Sequence, residues 1–352
     1  METNYNYDYT KIEEYIKESG ISERKSFTEL VNDLISGNLL DMDESILSYL
    51  KDLVLYEIES NWNIIMKIIV IAILTAIFTG FSKNLINSSI SDTSFYVTYI
   101  LLLTLLSSGF LVASGIVTTA LNSLLDFMKV LLPTFFVAVG LSSGSITGTA
   151  FYEVSLATIT LVEFIFLNLL VPMVYAFVVL NLINNIHKEE MLSKLAEFIK
   201  HIFEWLIKAL YALVIGLNVV QGIVLPMVDS AKINVLSKAV SAIPGVGDVI
   251  SGAGSVVIST ATVVKNAIGV AGLIFLVIIV VVPIIKLIIL SCMYRFAAGI
   301  IQPISEKRIV SSVGIIADGI VMLTRLMTTS MLLFFITISI ICVATNTNYY
   351  GG

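Results

Sequence analysis

The sequence predicts an all-α, polytopic helical membrane protein with six to seven transmembrane helices. Three observations carry that fold class. Six or seven apolar stretches on the scale of a bilayer crossing lie between Asn63 and Thr345, and a hydrocarbon core takes about 20 residues of helix. The composition agrees, with 57% hydrophobic and 13% charged residues and a mean hydropathy of +0.96. The acidic charge is also segregated: residues 1–60 hold fourteen acidic side chains against five basic ones, whereas residues 61–352 hold twelve against fifteen. The formal net charge of −6 is therefore not one acidic surface but an aqueous N-terminal segment ahead of a membrane domain. The expected organisation is an acidic helical extracytoplasmic segment at 1–60, a transmembrane domain at 61–345 and a short tail at 346–352.

In chain order, residues 10–19 place Ile12, Tyr15 and Ile16 on one helical face, and Gly20 follows. Ser26 and Glu29 have the spacing of a capping box, opening a second short helix that Gly37 closes. A third helix starts near Asp43, carries Ile46, Leu50, Leu53, Val54 and Ile58 at helical spacing, and runs through the interface-type aromatic Trp62 into the first span. The spans are Ile64–Phe81, Phe95–Leu121, a shorter Phe127–Leu141, Val154–Ile183 with Glu163 and Pro172 inside it, Ile207–Val228, Asn266–Leu290 and Leu326–Ala344.

Lys and Arg set the orientation, because basic residues in short loops favour the cytoplasmic side. Arg295, Lys307 and Arg308 mark one cytoplasmic loop, and Lys188, Lys194, Lys200 and Lys208 mark the other. With both inside, Phe127–Leu141 becomes a re-entrant piece and the chain has six crossings with both termini outside; seven crossings with 187–208 outside is the alternative. Residues 187–208 read as an interfacial helix, with Met191, Leu192, Leu195, Phe198, Ile199, Ile202, Phe203 and Leu206 on one face and mixed charges on the other.

Glycine patterns mark two further places. Gly140, Gly144 and Gly148 recur every four residues, which suits either a close helix approach or a flexible turn. The run AIPGVGDVISGAGS, residues 242–255, contains Gly245, Gly247 and Asp248 and predicts a broken or re-entrant Gly-rich segment over 241–264. It is no phosphate cradle, since no strand precedes it and no Lys-Ser/Thr follows. Two cysteines, Cys292 and Cys342, and two histidines, His187 and His201, give no metal-ligand spacing, no disulfide framework and no catalytic triad. The expectation is a protein that is not an enzyme and needs no metal or cofactor, with no role for nucleic acid.

Charges inside apolar stretches are the sharpest candidates, because each costs about 2.5–3.5 kcal/mol at the bilayer centre on insertion scales. Glu163 lies about a third of the way along its span, where it bonds a neighbouring helix, lines a polar conduit or serves a proton relay. Asp318 and Arg325 stand two turns apart on one face and either pair with partners or line a cavity near the cytoplasmic mouth. Glu163, Asp248, Asp318, Arg325, Gly140, Gly144, Gly245 and Gly247 are thus the conduit or packing candidates.

The order LLPTFF (131–136), AIPGVGD (242–248), VVKNAIGVAGLI (263–274) and IIQPIS (300–305), ahead of a last apolar span, resembles the stage III sporulation protein AE family of endospore-forming bacteria. The resemblance covers most of the chain from about residue 60. It implies a multi-pass protein of the mother-cell membrane around the forespore, part of a channel or secretion-like complex needed for spore development. The implied partners are other stage III sporulation A-operon membrane proteins, an associated ATPase, a forespore-side protein and further copies of the chain. Family members usually begin with a cleavable signal peptide; residues 1–30 show no basic segment followed by an apolar one, so the expectation is a processed chain with Met1 added or a natural departure. A channel or export subunit, a small-solute carrier and a scaffold for ring-forming proteins all stay open.

Overall fold

The computed structural model describes residues 8–18, 26–36, 44–85, 88–143, 145–186, 191–241 and 247–346. Every regular element among them is helical, in the order α1 (Thr10–Glu18), α2 (Phe27–Ile35), α3 (Glu44–Leu85), α4 (Ser88–Ser143), α5 (Ser145–Ile165), a π segment (Phe166–Leu170), α6 (Val171–Asn184), α7 (Ser193–Ser241), α8 (Gly247–Ile301) and α9 (Lys307–Ala344). Six stretches are long and apolar enough to cross a membrane: Val54–Ile77, Phe95–Ser143, Gly148–Asn184, Ser193–Ile223, Ile258–Ile301 and Lys307–Ala344.

The short helices follow the sequence closely. Ile12, Ile16, Phe27, Leu30 and Val31 are buried, as expected of the apolar side of a helix packed on a larger body. Ser26 Oγ accepts from the Glu29 amide at 3.1 Å while Glu29 Oε2 accepts from the Ser26 amide at 3.0 Å, which completes the capping box. Helix α3 then runs unbroken from Glu44 through Trp62 into the first span, so the helix crosses the boundary expected at residue 60.

Three expectations need correction. Phe127–Leu141 is not re-entrant: it continues Phe95–Leu121 within the 56-residue α4. The five intervening residues, Asn122–Asp126, contain neither Gly nor Pro, and Pro133 is absorbed inside the helix without ending it. Residues 193–208 are not a separate interfacial helix but the opening turns of α7, continuous with the next span. The Gly-rich stretch is not broken from Gly247 onward, because Gly247, Gly252 and Gly254 all lie in α8; residues 242–246, with Gly245, lie outside the described residues. Glycine lowers helix propensity by about 1 kcal/mol per residue, too little to interrupt a helix that the most hydrophobic window of the chain anchors.

Pro172 does leave a mark. It sits in the first turn of α6, directly after the five-residue π segment. Its missing N–H leaves the ladder one bond short, and the wider turn takes up the register change.

The spans alternate in direction. Phe127 of α4 meets Phe275 of α8 with ring centroids 6.4 Å apart, while Gly109 lies against Tyr294 and Gly272 against Leu131, which fixes α4 and α8 as antiparallel. Helices α8 and α9 are also antiparallel, from Arg295 with Asp318 at one level to Lys265 with Thr345 at another. Helices α7 and α9 run parallel, since Glu204 pairs with Arg325 and Asn218 bonds Thr337 further along. One end of the bundle is tied by a polar node. Tyr99 Oη donates to the Leu182 carbonyl at 2.7 Å and meets Ser312 Oγ at 2.8 Å. Arg308 lies 3.6 Å from the Phe95 ring centroid and donates to the Ile186 carbonyl at 3.0 Å. The node joins the N-terminal ends of α4 and α9 to the C-terminal end of α6.

Candidate functional site: charges at mid-membrane level

Three helices carry charge-free runs of bilayer length at one level of the bundle. Residues 209–228 of α7, 266–285 of α8 and 326–344 of α9 contain no Asp, Glu, Lys or Arg. At a rise of 1.5 Å per residue each run is about 30 Å long, the thickness of a hydrocarbon core. The runs also lie side by side: Cys342 stands against Gly269 near one end, and Asn218 donates to Thr337 Oγ1 at 3.0 Å near the middle. At the other end all three stop at a basic residue, Lys208, Lys286 and Arg325.

Phe275 lies at the midpoint of the α8 run, and Phe127 of α4 packs on it. One and two residues from Phe127 stand Asp126 and Lys129. Lys129 Nζ is 2.9 Å from Glu163 Oε2 and 3.8 Å from Asp126 Oδ1. The side chains of Lys129, Glu163 and Asp126 are 38%, 34% and 58% exposed. An ion triad therefore opens to the outside of the chain level with the middle of the charge-free runs.

The acidic N-terminal helices reach the same level. Tyr15 of α1 lies 6.2 Å from Phe127 with the rings tilted by 40° and donates its hydroxyl to the Ser123 carbonyl at 2.5 Å. Phe27 of α2 lies 5.7 Å from Phe275. The Glu13 carboxylate joins the two helices by accepting from the Thr28 amide and hydroxyl at 2.7 and 2.8 Å. At the start of α1, hydrogen bonds from Thr10 hold the Asp8 carboxyl below its ordinary range. With their apolar sides turned inward, α1 and α2 leave Asp8, Lys11, Glu14, Lys17 and Glu29 exposed. Five charges facing acyl chains would cost on the order of 10 kcal/mol, as much as the whole stability of a typical domain.

The other candidates fall elsewhere. Asp318 accepts from Arg295 at 3.1 Å and Arg325 donates to Glu204 at 3.3 Å, so the two residues that shared a helical face have separate partners toward the end that carries Arg308. Gly140 and Gly148 come together: a Cβ on Gly148 would stand 2.8 Å from Gly140 Cα and 2.9 Å from its nitrogen. One is on α4 and the other on α5, so the four-residue spacing serves a close helix contact across the chain reversal. Gly144 lies outside the described residues. Gly247 and Asp248 open α8, at the end of the bundle away from Arg308.

Sequence reasoning missed four residues. Asp126 was passed over because it fell between two supposed segments of one helix, and Lys129 because it lay inside the supposed re-entrant piece. Lys265, within the KNAIGVAG stretch, is 0% exposed and donates to Thr345 Oγ1 at 2.7 Å and the Cys342 carbonyl at 3.2 Å. Glu57, 8% exposed, stands 3.6 Å from Lys286 and accepts from Asn61 at 3.0 Å. Among the described residues no three His, Cys, Asp or Glu side chains are placed to hold a metal ion.

A profile of the family described as Stage III sporulation protein AE (spore_III_AE) matches residues 25–345. The chain belongs to the stage III sporulation protein AE family. A relative named Stage III sporulation protein AE from Bacillus subtilis (strain 168) is 22% identical over 327 residues, covering 92% of this chain and 81% of that protein. No solved structure matches the chain. As a stage III sporulation protein AE family member with six membrane-crossing stretches, it is a multi-pass membrane protein of sporulation.

Proposed function

We propose that this chain is the non-catalytic membrane subunit that lines or gates a conduit between mother cell and forespore, in the mother-cell membrane surrounding the forespore. The observation that carries the reading is the wet side formed at mid-membrane level by Asp126, Lys129, Glu163, α1 and α2. A monomer cannot present that side to lipid, so further copies of the chain, or the other membrane proteins of the sporulation A operon, close it off and leave water along it. Helices α7–α9 supply the bilayer-facing wall. An associated ATPase and a forespore-side protein complete the complex. The N-terminal helices act as a plug or gate, because they occupy the charged side without being part of the spans.

The test uses single cysteines at Asp126, Lys129 and Glu163 in a chain lacking Cys292 and Cys342, with Phe335 on α9 as the control at the same level. A membrane-impermeant thiol reagent applied to sporulating membranes is expected to label the first three and spare the fourth. Silence at all three, or labelling equal to the control, overturns the conduit in favour of a carrier or a non-conducting scaffold.

A further inference from the structure

A second feature lies apart from the charged side. Helices α7, α8 and α9 enclose an open groove of about 900 Å³. Its position follows from the charge-free runs: Lys208 and Arg325 line it and are the residues at which two of those runs end. The groove therefore opens where the charge-free runs give way to basic residues, on the side that carries Arg295 and Arg308.

We propose that this groove binds an anionic phospholipid, with its phosphate on Lys208, Arg295 and Arg325. Three cations line the groove against one carboxylate, Glu204. Asp318 stands behind, bonded to Arg295, so the groove keeps a net positive charge. Arg325 gives Nη1 to Glu204 and Arg295 gives Nη2 to Asp318, which leaves each guanidinium with further N–H donors for a phosphate. Lys208 is exposed and has no ion pair among the described residues. Thr324 and Thr328 also line the groove, their hydroxyls donating to the Ile320 and Thr324 carbonyls, while Phe203, Ile207 and Ile288 form an apolar wall. A cationic end at headgroup depth continuous with an apolar wall suits a charged lipid better than a soluble anion, which has no use for the wall, or a neutral lipid, which has none for the net charge.

The experiment is native mass spectrometry of the full chain in detergent, titrated with phosphatidylglycerol, phosphatidylcholine or inorganic phosphate. Phosphatidylglycerol is expected to be retained at least 10-fold more strongly than phosphatidylcholine. K208Q and R295Q should each lower that retention several-fold, and K208Q, at an exposed position, should leave thermal unfolding unchanged. Equal retention of the two lipids overturns the proposal, as does undiminished binding in both variants. Displacement of the lipid by millimolar phosphate alone also overturns it, by reducing the site to an anion seat. None of these outcomes depends on whether the chain conducts.

Discussion

At the scale of single residues, the membrane level of a charge decides what it does. Lys129, Glu163 and Asp126 are each about a third exposed or more, so as an ion pair in water they contribute under about 1 kcal/mol to folding. K129M and E163Q should accordingly shift thermal unfolding in detergent by only a few degrees, while reducing spore formation in a complementation assay far more. Large unfolding shifts with normal sporulation would make the pair a packing feature. The charge-swapped double variant K129E/E163K should recover most of the lost function.

Tyr294 gives a sharper residue-scale prediction. Its hydroxyl is buried without a hydrogen-bond partner among the described residues, and a Cβ on Gly109 would collide with that oxygen. Y294F should therefore stabilise the protein by about 1 kcal/mol by removing an unsatisfied polar group. G109A should destabilise it by about 1–3 kcal/mol through overpacking. The double variant G109A/Y294F should return close to the wild-type midpoint in a thermal melt.

Among helices, the contact of α4 with α5 rests on backbone meeting backbone at Gly140 and Gly148. G148A should push the two helices apart and lower the unfolding midpoint clearly. G115A, where nothing lies within 4 Å of the added methyl, should raise it slightly through helix propensity. Equal effects at the two sites would remove the claim of close approach. What the sequence made legible at this scale was apolar length and capping. The Ser26 box, the start of α3 near Asp43 and the end of the last span at Ala344 could be read directly, because they depend on local hydrogen bonds and hydropathy. The continuity of α4 could not. Asp126 and Pro133 look like interruptions when residues are read one by one, and only packing on α8 shows that the helix continues. The π segment before Pro172 was equally hidden, since a register change leaves no compositional trace.

For the molecule as a whole, the governing fact is a mismatch of lengths. Helices α4 and α8 have 56 and 55 residues, about 80 Å each, against a hydrocarbon core of about 30 Å. The bundle extends well beyond the bilayer, so the site was legible in part only. Glu163 stood out as a charge within an apolar stretch, but its partner and the wet side depended on how distant helices come level. Deleting α1 and α2 should leave the six spans inserted and folded, as read by protease protection. It should also increase thiol labelling at Lys129 and Glu163. Unchanged labelling would show that the two helices do not cover the charged side.

Lys265 has a consequence for how the protein is made. Its partners Cys342, Thr345 and Asn346 leave the ribosome about 80 residues after it, roughly 4–16 s later at ordinary synthesis rates. Through that interval an ammonium group waits at the edge of the membrane without the carbonyl and hydroxyl that later satisfy it. The Lys265 contact closes only when the last helix has arrived, so a chain cut short before Cys342 leaves that ammonium without any of the partners it has in the folded bundle.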